Sequence, residues 1–439
     1  MIPKRASTRL RILVDLRWMI PGQSGGMETV AYCFIERLFA QPQVINGEVA
    51  ATIVVPWELA DVFRAAAPVG VVILSRDSVW SDAATLVNVL TRRRSANWLR
   101  ADDFDVVYTL NGRLLPEAHD IPSVVLVADL QHLVYPQFFE PRDLAVRTTA
   151  SRDVAVRARH IVTISEFSRQ EIIRLLGVDA ERVSVSHLAV DPVLGRLPSA
   201  DERDEVLARY GLSGRRFVVL PAQVWPHKNH EAVVAALGRM RQVGHKVPVL
   251  VSTGRSKSQF ALDLMARIAS SNMAPYVQFL GLCPPRDLVS LYASAEALVF
   301  CSRYEGFGMP LIEAMQLGCP VIASNTTSIP EVVGEAALLV DPDDADAIAL
   351  SISRLMGEPD LRSHLIEAGH ARAEKFSWDR HFDEIFSKLH VCGGHQQPPA
   401  SVLRHVELRG TGNRPTLGTW FRTSAYPRLR RHVITQIRR

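Results

Sequence analysis

Residues 302–313 (SRYEGFGMPLIE) gather several side chains that could do chemistry together. They follow an apolar, β-branched run (ALVFCS) and lead into a helical pattern opened by Met309 and Pro310. Proline is favoured in a first helical turn. Gly306 and Gly308, with Phe307 between them, allow backbone N–H groups to approach a phosphate or a sugar closely. The helix N-terminus adds a partial positive charge. Glu305 stands at the mouth of this loop and Glu313 about one turn inside the helix. Two carboxylates flanking an anion-binding turn suit a sugar nucleotide, one holding sugar hydroxyls and the other ribose hydroxyls. For either glutamate alone, a surface acid at an ordinary strand–turn–helix junction is the plainer reading; for the whole string it is not.

No metal centre is expected. The five cysteines (Cys33, Cys283, Cys301, Cys319 and Cys392) are scattered, odd in number and without a CxxC pair. That pattern argues against a disulfide framework or a zinc site and fits a reducing cytosol. Asp103-Phe104-Asp105 is formally a DxD, but it precedes the strand-like run DVVYTL and reads as a strand-entry turn.

The elements that position these residues alternate in type. Short apolar runs at residues 11–18, 49–57, 70–75, 105–110, 123–129 and 160–165 read as strands. A second set covers residues 217–223, 247–253, 277–281, 297–302 and 320–324. Helical patterns lie between them, at residues 28–40, 142–159, 229–243, 284–294 and 344–356. Continuous apolar strands with intervening helices mean buried parallel sheets, and the chain builds one twice. Residues 189–204 (AVDPVLGRLPSADERD) carry two prolines, a glycine and a charge cluster, and read as the linker. The expected architecture is α/β, with two doubly wound, Rossmann-like domains. They span residues 1–195 and 196–375, with a closing helix at 376–392 and a basic tail at 393–439. Ligands of such sheets bind at the carboxyl ends of the strands, so a cleft between the domains is the natural site.

Length and composition agree. At roughly 150 residues per domain, 439 residues predict two to three domains. With 47% hydrophobic and 22% charged residues, the chain as a whole is not disordered, collagenous or a disulfide scaffold. The formal net charge of +4 is weak evidence for a nucleic-acid or membrane partner. Only six of the 50 basic residues are lysines, so a lysine inside a motif stands out. No signal-peptide core precedes the first strand pattern and no apolar run approaches 18 residues. A cytoplasmic protein is expected, with any membrane role peripheral. Two stretches invite such a role. From Arg404 onward there are nine arginines and a single acid, Glu407. Residues 81–100 (SDAATLVNVLTRRRSANWLR) mix leucine, valine and tryptophan with arginine. Each is open to two readings: a solvated tail or ordinary surface helix, and an attachment to an anionic membrane surface.

The segment EGFGMPLIEAMQLGCPVIASNTTSIPEVVGEAALLVDPDD resembles the donor-site segment of family 4 retaining glycosyltransferases, including that family's two glutamates with seven residues between them. LPAQVWPHKNH, VQFLGLCPPRDLVSLYASAEALVFCS, VTISEFSRQEII, VADLQHLVYPQFF and FSWDRHFDEI resemble further segments of the family in the same order, over roughly residues 11–390. The resemblance implies the GT-B fold, with an N-terminal acceptor domain and a C-terminal donor domain. It implies transfer of a hexose, mannose or rhamnose, from a nucleotide-sugar to a glycan or polyprenyl-linked acceptor in cell-surface polysaccharide or glycolipid synthesis. It further implies that the configuration is retained, with attack on the front face and the leaving diphosphate helping to accept the proton. The donor expected is a nucleotide-sugar such as GDP-mannose, with no metal and no nucleic-acid partner.

Residue by residue, Lys228 falls on the family's donor-phosphate lysine, where a cation neutralises the departing diphosphate. Gly25 and Gly26 fall in the loop after the first strand, which can cradle the donor phosphate. Asp129 and His132 lie where a strand ends; the family often has His-Asp, and here Ala128 precedes Asp129 while His132 follows three residues later. The catalytic candidates are thus Glu305, Lys228, His132 and Asp129, and the donor-binding candidates are Gly25, Gly26, Lys228, Gly306, Phe307, Gly308 and Glu313. Ala222 and Gln223 stand where the family often has a second basic residue; Arg255 or the SKS that follows it is the candidate substitute. The competing readings are an epimerase-like enzyme of the same fold, a non-catalytic sugar-nucleotide scaffold and, more distantly, a nucleic-acid binder led by the tail.

Overall fold

The computed structural model describes residues 9–21, 25–76, 99–255 and 257–394. The chain divides into two compact units, one of Met1–Ile164, Ser168–Leu188 and Trp378–Arg439 and one of Ser165–Phe167 and Ala189–Ser377.

The first unit is built on a parallel sheet of β1 (Leu10–Asp15), β2 (Val49–Pro56), β3 (Val72–Arg76), β4 (Val106–Thr109), β5 (Ser123–Leu126), β6 (His160–Thr163) and β7 (Val183–Val185). Their order is β3-β2-β1-β4-β5-β6-β7. The second is built on β8 (Phe217–Pro221), β9 (Val249–Thr253), β10 (Val277–Gly281), β11 (Leu298–Phe300), β12 (Val321–Ser324) and β13 (Leu338–Val340), in the order β10-β9-β8-β11-β12-β13. All neighbours run parallel; Ile12 pairs with Val106, and Val219 with Leu298. In each sheet the strand order reverses beside the first strand, at β1/β4 and at β8/β11. Such reversals open a crevice at the carboxyl ends of the strands.

Strands such as β4, β9 and β12 form because their apolar runs are buried on both faces. Val106–Thr109, Val249–Thr253 and Val321–Ser324 are buried throughout. In the second unit the helix His230–Gln242 packs on Ala345–Gly357, and Met309–Gln316 on Pro359–Ala373. The last described helix, Trp378–Cys392, returns to the first unit. It packs on Gly26–Ala40 through Phe382 and Phe34, with ring centroids 5.2 Å apart, and through an Arg37–Asp379 ion pair of 2.7 Å.

The expected linker is partly a helix. Ala200–Arg209 is helical, and Ser199 and Glu202 close a capping box at its start. The charge cluster ADERD is therefore a helical first turn, whose acids are favoured by the helix dipole. Asp105, the second acid of the DxD string, receives the Arg11 guanidinium at 2.7 and 3.1 Å and the Arg11 amide at 2.9 Å. None of the five cysteines forms a disulfide. Among the described residues, no helix is long and apolar enough to cross a membrane. Of the arginine-bearing stretch 81–100, only Leu99 and Arg100 are described, and Leu99 is buried with Leu13, Val54 and Val107. The basic tail, except Gly393 and Gly394, lies outside the described residues.

Candidate active site

Lys228 and Glu305 come from either side of the β8/β11 reversal. After β8 the chain makes a short 3-10 turn, Pro226–Lys228, and Asn229 follows in the left-handed region at φ 55°. Asparagine tolerates that conformation better than most residues. Its side-chain amide donates to the Cys301 carbonyl at 3.1 Å and to the Pro342 carbonyl at 2.6 Å, and the residue is buried. These bonds fasten the turn to the end of β11. Lys228 Nζ then donates to Glu305 Oε1 at 2.6 Å and lies 5.4 Å from the Phe300 ring centroid. The pair is largely sheltered, with side-chain exposures of 20% and 10%. His227 beside it is pushed down to about 3, by burial first and then by the charge of Lys228. It stays neutral, so Lys228 supplies the turn's positive charge.

The loop that carries Glu305 is held from behind by the segment after β12. The Glu305 amide donates to Thr327 Oγ1 at 3.3 Å. Ser328 Oγ donates to the Glu305 carbonyl at 2.9 Å and the Phe307 carbonyl at 3.3 Å. Thr327 itself has φ 58°. For a β-branched residue that is a genuine outlier, and such strain clusters at functional sites. Among the described residues, Asn229 and Thr327 are the non-glycine positions with positive φ, and both brace this pair. Phe307 is buried against Phe376, with ring centroids 5.5 Å apart. Gly308 caps the helix at φ 97°, where a Cβ would meet Leu311 Cδ1 at 2.7 Å. Only glycine fits this turn without displacing its neighbour. The amides of Gly306–Gly308 and the N-terminus of Met309–Gln316 are thus set at the same strand ends as Lys228.

Glu313, inside that helix, accepts from Tyr292 Oη at 3.1 Å. Tyr292 is fully buried, and burial first, then the Glu313 charge, keeps its phenol well above the ordinary value. It remains a donor and orients the carboxylate.

At the end of β9, Gly254 has φ 116°, and a Cβ there would sit 2.7 Å from the Ala222 carbonyl oxygen. The closeness lets Val224 N bond to the Arg255 carbonyl at 3.2 Å. The backbone of Arg255 therefore lies beside the Ala222–Val224 loop.

The remaining candidates stand in the first unit. Gly25 precedes the helix Gly26–Ala40 at φ 62°, and residues 22–24 lie outside the described set. Asp129 Oδ1 accepts from the Gln131 amide at 3.0 Å. His132 is buried, with Nε2 3.1 Å from Ser151 Oγ, and is pushed down to about 4 by burial first and then by Arg147. A neutral imidazole in that setting can hydrogen-bond but does not carry charge near pH 7. Sequence reasoning did not single out a buried network at the end of β1. There Arg17 bonds Asp15 at 2.8 and 3.2 Å and Glu117 at 3.3 Å. Burial works against the Arg17 charge, but the two carboxylates overcompensate and hold it above its usual value. Asn229, Thr327, Ser328 and Tyr292 were likewise not picked out. The run SNTTS after β12 marks a turn, but a positive φ at threonine cannot be read from it. Among the described residues, no group of three or more His, Cys, Asp and Glu side chains could hold a metal ion.

Residues 24–194 match the family model Glycosyltransferase Family 4, and residues 202–372 match Glycosyl transferases group 1. The O-antigen chain mannosyltransferase B of Escherichia coli is 31% identical over 293 residues, covering 66% of this chain and 75% of that protein. The O-antigen chain mannosyltransferase RfbU of Salmonella typhimurium is 28% identical over 249 residues, covering 56% of this chain and 65% of that protein. Among solved structures, Anabaena HepE in complex with UDP and glucose aligns with a TM-score of 0.65 at 18% identity, over 87% of this chain and 99% of that one. A glycosyltransferase from Rickettsia africae aligns equally well, with a TM-score of 0.65 at 16% identity, over 88% and 99%. These two likenesses establish the fold, two parallel-sheet α/β domains of the GT-B type.

Proposed function

The chain belongs to family 4 of the glycosyltransferases and is a hexosyltransferase, and on that footing we propose that it moves mannose from GDP-mannose to a growing cell-surface glycan or its lipid-linked precursor. The names of the relatives favour mannose over rhamnose. The observation that carries the site assignment is the Lys228–Glu305 pair at the β8/β11 reversal, with Glu313, oriented by Tyr292, in the helix that follows Glu305.

In this reading the donor diphosphate lies against the Gly306–Gly308 amides and the helix N-terminus, where partial positive charge is fixed in place. Lys228 neutralises the charge that grows on the departing diphosphate. Glu305 receives hydroxyls of the hexose and Glu313 those of the ribose. The bond from C1 to the phosphate oxygen breaks as the acceptor oxygen bonds to C1 on the same face. The acceptor's proton passes to the leaving diphosphate, so the configuration is retained and no protein nucleophile is required. Asp129 and His132 contribute to acceptor binding as hydrogen-bonding groups, with His132 neutral. The basic stretches 81–100 and 404–439 would attach the protein to an anionic membrane surface.

A thermal-shift panel of nucleoside diphosphates and their sugars tests the donor assignment. A ligand at 100 times its dissociation constant stabilises the folded state by about 2.7 kcal/mol. The guanine series should shift wild type and leave Glu313→Ala unmoved. An equal shift in that variant would remove Glu313 from the site.

A further inference from the structure

Two tryptophans are exposed among the described residues, and one of them, Trp225, sits on the turn that carries Lys228. The indole is 40% exposed, and its N–H donates to Gln223 Oε1 at 2.7 Å. With that donor satisfied, the ring offers a flat apolar face. The mounting is rigid. Lys228 N bonds to the Trp225 carbonyl at 3.0 Å, and the Arg303 amide to the His227 carbonyl at 2.8 Å. The Arg303 guanidinium reaches the Pro226 carbonyl at 3.2 Å while Asp343 holds it at 2.7 and 2.9 Å. A fixed aromatic ring loses little freedom when a ligand stacks on it.

We propose that Trp225 is a stacking platform for a sugar ring of the acceptor glycan, held in place by Gln223. This rests on the glycosyl-transfer reading above and adds a subsite to it. The direction of the side chains carries the argument. Lys228 turns inward, over Phe300 and onto Glu305, and is only 20% exposed. Trp225 stands on the same turn but faces solvent. The donor's charged groups therefore belong to the inward side, and a ring on the outward side meets the next sugar along. A pyranose presents a patch of C–H groups on one face and hydroxyls around its edge. The indole covers the first, and the amide of Gln223 has N–H donors for the second. Gln223 stands where the resemblance leads one to expect a base, so an uncharged glycan fits this turn better than a further phosphate.

The test is calorimetric titration of an α-linked mannotriose into the nucleoside-diphosphate-loaded protein, for wild type, Trp225→Ala and Trp225→Phe, alongside titration of the nucleotide itself. The expected result is mannotriose affinity at least about tenfold weaker in Trp225→Ala, equivalent to about 1.4 kcal/mol. Most of it should return in Trp225→Phe, with nucleotide affinity within about twofold throughout. Unchanged mannotriose affinity in Trp225→Ala would overturn the platform. So would an equal loss of nucleotide affinity, which would assign the indole to the donor. The donor reading is tested separately: nucleotide bound undiminished by Glu313→Ala would break that reading while leaving the effect of Trp225 on sugar binding to stand.

Discussion

Replacing Glu305 by glutamine should tighten the binding of the bare nucleoside diphosphate while destroying transfer. Glu305 holds Lys228 at 2.6 Å, and neither side chain is more than a fifth exposed. Two unit charges about 4 Å apart attract by about 4 kcal/mol at the effective dielectric of such sites. An incoming diphosphate takes over part of that attraction and also meets the Glu305 charge as a like charge. If roughly a third of the energy is released to the ligand, the gain is about 1.4 kcal/mol, or tenfold in affinity. A donor that still carries its hexose loses the carboxylate that receives its hydroxyls, so the transfer rate should fall by about a hundredfold or more. Calorimetry with the diphosphate alone, at two salt concentrations, reads the first effect, and initial rates read the second. The tightening should shrink at high salt. Diphosphate binding that is unchanged or weaker in Glu305→Gln would refute the idea that the pair is held in reserve for the phosphate.

Further expectations follow from the same geometry. Tyr292→Phe removes one hydrogen bond to Glu313 with little loss of packing, and should weaken donor binding about fivefold, at about 1 kcal/mol, with thermal stability close to wild type. Gly308→Val places a branched side chain at φ 97° against Leu311, and should lower both stability and donor affinity by amounts visible in the same thermal-shift panel. His381 is buried, with Nδ1 2.8 Å from Ser186 Oγ, and burial pushes it down to about 4. A lowered folded-state value means that its contribution is present above about pH 6.5 and lost as pH falls towards 4. This one group should make the chain about 2 kcal/mol less stable at pH 5 than at pH 7. Denaturation midpoints at the two values for wild type and His381→Asn check this: the difference between the two pH values should be smaller in the variant by about that amount.

The two sheets were legible because a buried parallel strand is a continuous apolar run, and FVVLP or VLVST needs no partner in view to be read as one. β7 and β13 escaped because each is three residues long at a sheet edge, too short for any periodicity. Residues 200–204, the start of the helix Ala200–Arg209, read as linker because four of the five are charged and the apolar face of the helix is narrow. At the site, the glutamates and Lys228 stood out by type and by resemblance. Their meeting across 77 residues of sequence is a product of strand order, which local pattern does not encode. Asn229, Thr327, Ser328 and Tyr292 act through backbone conformation and burial, and small polar residues after a strand look alike until the turn is seen. Arg17 belongs with them: an arginine held between two carboxylates is invisible until β1 and the Glu117 turn are brought together.

In the proposed mechanism the second unit presents a nucleotide-sugar to an acceptor with Lys228 on the phosphate. The most direct measurement is the rate of radiolabelled mannose transfer from GDP-mannose to a lipid-linked or oligomannose acceptor by wild type and Lys228→Ala, with nucleotide affinity measured on both. Wild type should transfer mannose with retained configuration, and the variant should lose at least about a hundredfold in rate with its fold intact. Transfer by Lys228→Ala at the wild-type rate would contradict that mechanism.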